Sequence, residues 1–296
     1  MTRDARRVSV VIAAHNEEGV LGATLDALLA QPHIEAADVI VSANACRDRT
    51  VDVARSHGVK VIERAEAGKA GALNAADAIA EGYPRIYLDA DIVLPDGAIG
   101  RLLQHFDDPS QPQAVVPRRR VDTAGAQWPV KAYFAINDRL PVFRTGLFGR
   151  GLIALSETGR ARFAAFPVMI ADDLFVDAQF GEHERVVAAD VEIVVAAPRT
   201  TRSLIERLVR VRRGNGQLRA AADRGEVVAA VRRSDRWSWL RDVVLRNPVL
   251  IGAAIPYVVI TLVATRRARR VPVGEAWGQD RTTRAMPVTP IEGGTS

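Results

Sequence analysis

Ile86-Tyr87-Leu88-Asp89-Ala90-Asp91-Ile92-Val93-Leu94 is the stretch that decides how this chain folds and where its chemistry gathers. An apolar run ends on two carboxylates with one small residue between them, resumes, and stops at Pro95-Asp96-Gly97. Extended backbone sends residues i and i+2 to the same side, so Asp89 and Asp91 are expected to project together from a strand end. Converging carboxylates repel unless a cation joins them. Hard oxygen donors suit Mg2+ or Mn2+, which complete their shells with substrate phosphates. A solvated turn after a buried strand carries the same triplet, so its meaning rests on what precedes it.

Upstream, Val8-Ser9-Val10-Val11-Ile12-Ala13-Ala14 has the β-branched, nearly all-apolar pattern of a buried parallel strand. Asn16 is placed to cap the helix that follows, with Glu17 and Glu18 in its first turn and Val20, Leu21, Leu25, Leu28 and Leu29 at helical spacing. A strand over 38–42, a helix over 50–56 closed by Gly58, a strand over 59–62, a helix over 68–79 and a strand over 85–89 come next. Alternation of this kind builds a parallel sheet with right-handed crossovers. Ligands of such sheets bind outside the carboxyl ends of the strands. His15-Asn16-Glu17, Asn44 to Asp48 and Asp89-Ala90-Asp91 all follow strand ends, so they converge on one rim and imply a nucleotide-like ligand with a metal. Lys69, in Gly68-Lys69-Ala70-Gly71, opens a helix where backbone N–H groups and its ammonium can meet phosphate.

The blocks at 8–18, 44–50, 68–74 and 88–91, in this order and spacing, resemble those of family 2 glycosyltransferases of the GT-A fold. The resemblance covers roughly residues 8 to 215. It implies a mixed, mostly parallel sheet with helices on both faces, and an inverting transferase that uses a nucleotide-diphosphate sugar, UDP- or GDP-linked, with Mn2+ or Mg2+. Carried over by position, Ala13 and His15 flank the base, Glu17 lies in the same donor block, Asp89 touches the ribose side and Asp91 ligates the metal. Asn44 stands where many members carry an aspartate that accepts from the base, which leaves uracil and guanine both open.

Downstream, Ile170-Ala171-Asp172-Asp173-Leu174-Phe175-Val176 resembles the family's acidic pair before an apolar helix. By that match Asp173 is the general base and Asp172 the acid beside it; a helix cap with a first-turn acid is the structural alternative. An acceptor hydroxyl attacking an anomeric carbon needs such a group. Val115-Val116-Pro117-Arg118-Arg119-Arg120 is expected to be a strand, either near the site or at a solvated edge, and 128–140 an amphipathic core helix. Arg210 and Arg213 lie i, i+3 on a basic helix, able to meet a diphosphate together or to form a solvated face. The Gln and Trp of processive relatives are missing there, which argues against a polymer synthase.

Of 296 residues, 48% are hydrophobic and 25% charged, enough for a sizeable core. A single cysteine, Cys46, excludes an internal disulfide, and no signal-like segment opens the chain, so a cytoplasmic location is expected. The net charge of +5 is concentrated: thirteen arginines face five acids between Arg199 and Arg246. No nucleic-acid-binding signature accompanies them, so diphosphate or an anionic membrane surface is the expected partner. Residues 247–265 are uncharged, Pro256 interrupts them, and Arg266-Arg267-Ala268-Arg269-Arg270 follows. An in-plane or re-entrant membrane helix on the inner face of the cell membrane fits this pattern better than a clean span, and a buried homodimer interface is the soluble alternative. The organisation expected is a catalytic unit over 1–215, a basic helical segment over 216–270 that is membrane-associated or dimerising, and a flexible tail over 271–296. A nucleotidyltransferase on a similar sheet would need a glycine-rich, basic loop after the first strand, where Ala13-Ala14-His15-Asn16 stands. An inactive nucleotide-sugar-binding or membrane scaffold is the non-enzymatic alternative.

Overall fold

The computed structural model describes residues 7–169, 171–227, 231–232 and 235–270. Ile170 and the expected flexible tail lie outside them. Seven strands form one sheet: β1 (Ser9–Ala14), β2 (Val39–Asn44), β3 (Lys60–Arg64), β4 (Arg85–Asp89), β5 (Ala114–Asp122), β6 (Leu152–Leu155) and β7 (Arg185–Ala196). Their spatial order is β3-β2-β1-β4-β6-β5-β7. β1 pairs parallel with β2 and β4, β2 with β3, and β5 with β7, while β6 runs antiparallel to both its neighbours. Two antiparallel steps return the direction, so β5 and β7 point the same way as β4. The carboxyl ends of six strands therefore share one rim.

The residues of β1 divide between two cores as the pleat requires. Val10, Ile12 and Ala14 face a first core with Leu21, Leu25 and Leu28 of α1 (Leu21–Leu29), Ala54 of α2 (Thr50–Ser56), and Ile99 and Leu102 of α4 (Ala98–Gln104). Val11 faces a second core with Ala70, Leu73 and Ala76 of α3 (Lys69–Asp77). Leu25 and Leu28 are completely buried, each contributing roughly 1.5–3 kcal/mol of transfer free energy. Helices cover both faces, as a parallel sheet requires.

The second half adds α5 (Trp128–Asn137), α6 (Val142–Thr145), α7 (Glu157–Arg160), α8 (Asp172–Asp177), α9 (Thr201–Asp223) and α10 (Ile251–Arg270). α8 and the far end of α9 join the second core through Leu174, Phe175 and Leu218. A third core gathers Val130, Tyr133 and Ile136 of α5, Leu204 of α9, Val243 and Val244, and Tyr257 and Ile260 of α10. Gln127, the residue before α5, ties the two helix starts together: its N–H donates to the Arg199 carbonyl (2.9 Å), and its Oε1 accepts from the Thr201 N–H (2.9 Å).

Some local expectations need correction. Asn16 does not cap α1, which begins at Leu21. Its backbone is left-handed (φ 54°), which delays the helix, and its Oδ1 accepts from the Arg47 N–H at 2.8 Å. β5 is no edge strand, because β6 and β7 enclose it. Arg118 and Arg120 meet Glu192 of β7, at 3.7 and 2.9 Å. Trp128 is exposed instead of joining the core. The boundary placed at 215 falls inside α9, whose helix runs through it unbroken.

Candidate active site

Lys69 is the first residue of α3, entered through Gly68 at φ 142°. Its ammonium lies 2.8 Å from Asp89 Oδ1, at the end of β4, and 2.8 Å from Asp172 Oδ2, at the head of α8. One cation thus joins the end of β4 to the acidic pair. Burial works against the charge on Lys69, but Asp172 and Asp89 outweigh it and hold its pKa well above the ordinary lysine value.

Asp173 points into the same pocket. Its Oδ2 accepts from the Gly149 N–H at 2.8 Å and its Oδ1 from the Leu174 N–H at 2.7 Å. Burial first and the neighbouring Asp172 second push its pKa up to about 6, against the pull of Lys69 and the Gly149 N–H. A carboxylate poised there is ionised at neutral pH yet remains basic enough to take a proton. Ala171, not Asp173, occupies the N-cap of α8.

The loop Gly149-Arg150-Gly151 holds these groups in place. Asp89 N–H donates to the Gly151 carbonyl (2.8 Å). Gly151 has φ 72°, and a Cβ there would lie 2.5 Å from Cγ1 of Ile92, so glycine is required on both counts. Arg150 is buried between them and donates to the carbonyls of Gly146 (2.8 Å), Pro117 (2.9 Å) and Phe143 (2.5 Å). Burial and the charge of Arg119 lower its pKa to about 10. Arg119 donates to the Gly149 carbonyl (3.2 Å), pairs with Asp138 (2.7 Å) and lies over the Phe143 ring (4.3 Å).

At its other end α8 is anchored by buried Asp177, which accepts from the Leu147 N–H (2.9 Å), Arg185 (2.8 Å) and Arg232 (2.9 Å). Asn74 of α3 makes a reciprocal pair with the Phe166 backbone, at 2.9 and 2.8 Å. Phe166 packs edge-on against Tyr87 and Phe163. Arg150, Asp177 and Asn74 were not singled out by sequence; the only signal was an arginine between two glycines and an acid one helical turn beyond the pair.

Lys69, Asp89, Asp172 and Asp173 line one pocket with Leu73, Leu147 and Phe166 among its apolar walls. The other sequence-selected residues lie outside that lining. Ala13 stands beside Asp89 in the β1–β4 register. His15 Nδ1 donates to the Asn44 carbonyl at 2.5 Å, which leaves Nε2 to accept from the Asn16 amide at 3.3 Å. Glu17 is buried, its N–H donating to Thr50 Oγ1 at 2.7 Å. Asn44 is a correction: its amide is engaged by backbone, Nδ2 donating to the Ala14 carbonyl (2.8 Å) and Oδ1 accepting from the Gly68 N–H (3.0 Å). It clamps β1, β2 and the entry to α3 instead of presenting itself to a base. Arg210 and Arg213 sit half-buried on α9.

Asp91 also departs from expectation. The strand ends at Asp89, and the Ile92 N–H reaches the Asp89 carbonyl (3.3 Å), so the chain turns at Ala90 and the i, i+2 alternation does not carry to Asp91. Asp91 is exposed on that turn. Among the described residues no three acidic, histidine or cysteine side chains form a cage for a metal. Two carboxylates at a rim, one of them exposed, nonetheless fit a hard divalent cation that fills its remaining positions with phosphate oxygens and water.

Residues 9–158, half of the chain, match the family model described as glycosyl transferase family 2. The chain belongs to glycosyl transferase family 2. No curated protein sequence matches it. Among solved structures, this family 2 chain is similar to the mannosyltransferase PcManGT from Pyrobaculum calidifontis, in complex with GDP-Man and Mn2+. That match has 22% identity and a TM-score of 0.59, over 90% of this chain and 76% of that one. Glucosyl-3-phosphoglycerate synthase from Mycobacterium tuberculosis, in complex with Mg2+ and UDP, matches with 19% identity and a TM-score of 0.52, over 73% and 79% of the two chains. TarS 1-349 from S. aureus, in complex with UDP, matches with 13% identity and a TM-score of 0.50, over 93% and 95%. The shared fold is the GT-A-like arrangement, and the family is one of glycosyltransferases.

Proposed function

We propose that this family 2 enzyme is an inverting glycosyltransferase that moves a sugar from a nucleotide-diphosphate donor, with Asp173 as general base. The observation that carries the proposal is the Asp173 carboxylate, half-buried in the pocket that Lys69, Asp89 and Asp172 share. The donor lies along the rim formed by Ala13, His15, Glu17 and Asp89. Lys69, already between two carboxylates, is placed to meet the diphosphate. Asp173 takes the proton from the acceptor hydroxyl as its oxygen attacks the anomeric carbon from the face opposite the diphosphate, and this single displacement inverts the configuration. Asp91 with Asp89 would hold Mn2+ or Mg2+, which supplies charge stabilisation for the departing diphosphate. The solved relatives named above, in complex with GDP-Man and Mn2+ or with UDP and Mg2+, support that donor class.

Thermal-shift measurement with UDP- and GDP-linked sugars tests the proposal. One nucleotide series is expected to raise the melting temperature in Mn2+ and to lose that effect in EDTA. Indifference to every nucleotide diphosphate, with and without metal, would overturn it.

A further inference from the structure

Among the described residues, none covers the outer face of α10. Ile251, Ile255, Val259 and Leu262 recur at helical spacing and are 62%, 71%, 52% and 48% exposed, and Val249, just before the helix, is 90% exposed. The opposite stripe, Tyr257, Ile260 and Ala264, is buried. Tyr257 stacks on Tyr133 of α5 at 5.1 Å and packs against Trp239 at 5.6 Å. The helix is therefore pinned to the body of the enzyme along one side and bare along the other.

Charge says what covers the bare side. No acidic residue lies between Asp242 and the end of α10, whereas Arg246, Arg266, Arg267, Arg269 and Arg270 flank the apolar stripe at its two ends. Trp237, shortly before, is exposed as well. An apolar stripe bordered by arginines and an aromatic ring is complementary to an anionic bilayer: the stripe enters the acyl boundary and the guanidinium groups meet phosphates. Arg246 pairs with Asp242 at 3.9 Å, but a second protein surface would still have to match the four arginines at the far end of the stripe at once. A transmembrane path is disfavoured for a separate reason, since a spanning helix presents its whole circumference to lipid or to other membrane helices, and this one is held by α5 and α9.

We propose that α10 lies in the plane of an anionic lipid bilayer, with Val249, Ile251, Ile255, Val259 and Leu262 inserted and Arg266 to Arg270 on the headgroups. α5 and α9 begin at the rim that carries Asp89, so docking through α10 brings that rim towards the membrane surface. The docking stands on α10 alone; that it serves sugar transfer rests on the function proposed above.

Flotation of the full chain with vesicles tests this, using phosphatidylcholine alone and phosphatidylcholine mixed with phosphatidylglycerol. The protein is expected to float with the anionic vesicles only and to be released by alkaline carbonate. Ile255→Glu with Leu262→Glu is expected to weaken flotation at least about tenfold. Replacing Arg266, Arg267, Arg269 and Arg270 by glutamine is expected to weaken it about fivefold per arginine at low salt. Both variants should keep the wild-type melting temperature and nucleotide binding. Failure to float with anionic vesicles, flotation unaffected by either variant, or resistance to carbonate would each overturn the proposal. So would a soluble dimer that Ile255→Glu with Leu262→Glu splits, because the face would then belong to a second copy. Flotation without nucleotide binding would leave the docking intact and count against the transferase function instead.

Discussion

Lys69 reaches from the first turn of α3 to Asp172 at the first turn of α8, with 2.8 Å between ammonium and carboxylate. The same ammonium is 2.8 Å from Asp89, so the end of β4 and the helix that bears Asp173, the proposed base, are coupled through one charge. Replacing Lys69 by methionine keeps the unbranched apolar stem, one atom shorter, and removes that charge. Asp173 then loses the cation that holds its pKa down, so the rising limb of the pH–rate profile should move to higher pH, and donor affinity should fall. A profile that stays in place, or moves to lower pH, would refute the coupling.

The pH dependence has a definite sign. Asp173 titrates at about 6 in the folded chain, above the value of about 3.9 for an unfolded aspartate. The native state therefore binds more protons than the unfolded state between these values. This group's contribution to stability is complete below about 4 and is lost as pH rises through about 6. Over the same range the base becomes ionised, so transfer rate should rise while stability to urea falls. Parallel rate and melting measurements from about pH 3 to about pH 8, which bracket both values, check this. A rate that falls as pH rises through 6 would exclude an ionised Asp173 as base.

Asp91 should matter for donor binding through the metal. Asp91→Asn removes one formal charge from an exposed turn, so folding should change by no more than about 0.5 kcal/mol. Nucleotide diphosphate affinity in Mn2+ should fall at least about tenfold, as expected for loss of one carboxylate ligand from a two-carboxylate site. Calorimetric titration with and without EDTA is the measurement. Wild-type affinity that is indifferent to EDTA would remove the metal from the account.

Much of this was legible in order along the chain. β4 runs Arg85–Asp89 and α2 runs Thr50–Ser56, as the pattern predicts, because a buried apolar run stopped by carboxylates and a polar loop closed by glycine carry their own boundaries. Convergence on one rim followed from strand alternation. What stayed hidden depends on partners distant in sequence. Periodicity puts Lys69 at a helix start but cannot tell that its ammonium bridges β4 and α8. Asn44 looked like a base reader through the family resemblance; it is buried at the end of β2 with its amide bonded to the Ala14 carbonyl and the Gly68 N–H, which only the packed structure brings to it. Asp91 was misplaced because alternation was extended two residues past the end of the strand.

Asp177 gives a stability prediction of the same hidden kind. It is buried and pairs with Arg185 and the partly exposed Arg232, so Asp177→Asn leaves two guanidinium groups without their carboxylate. The loss should be about 3–5 kcal/mol by chemical denaturation. A loss below about 1 kcal/mol would show that the anchor of α8 is unimportant.

Asp173→Asn tests the central claim most directly, with transfer rate, donor affinity and melting temperature measured on one preparation. The variant keeps an oxygen for the Gly149 N–H, gives up the bond from the Leu174 N–H, and removes the proton acceptor. Rate is expected to fall by about a hundred- to ten-thousand-fold, with donor affinity nearly unchanged and Asp172→Asn milder. Near-normal transfer by Asp173→Asn, or a collapse of melting temperature that takes donor binding with it, would contradict the assignment of Asp173 as the base.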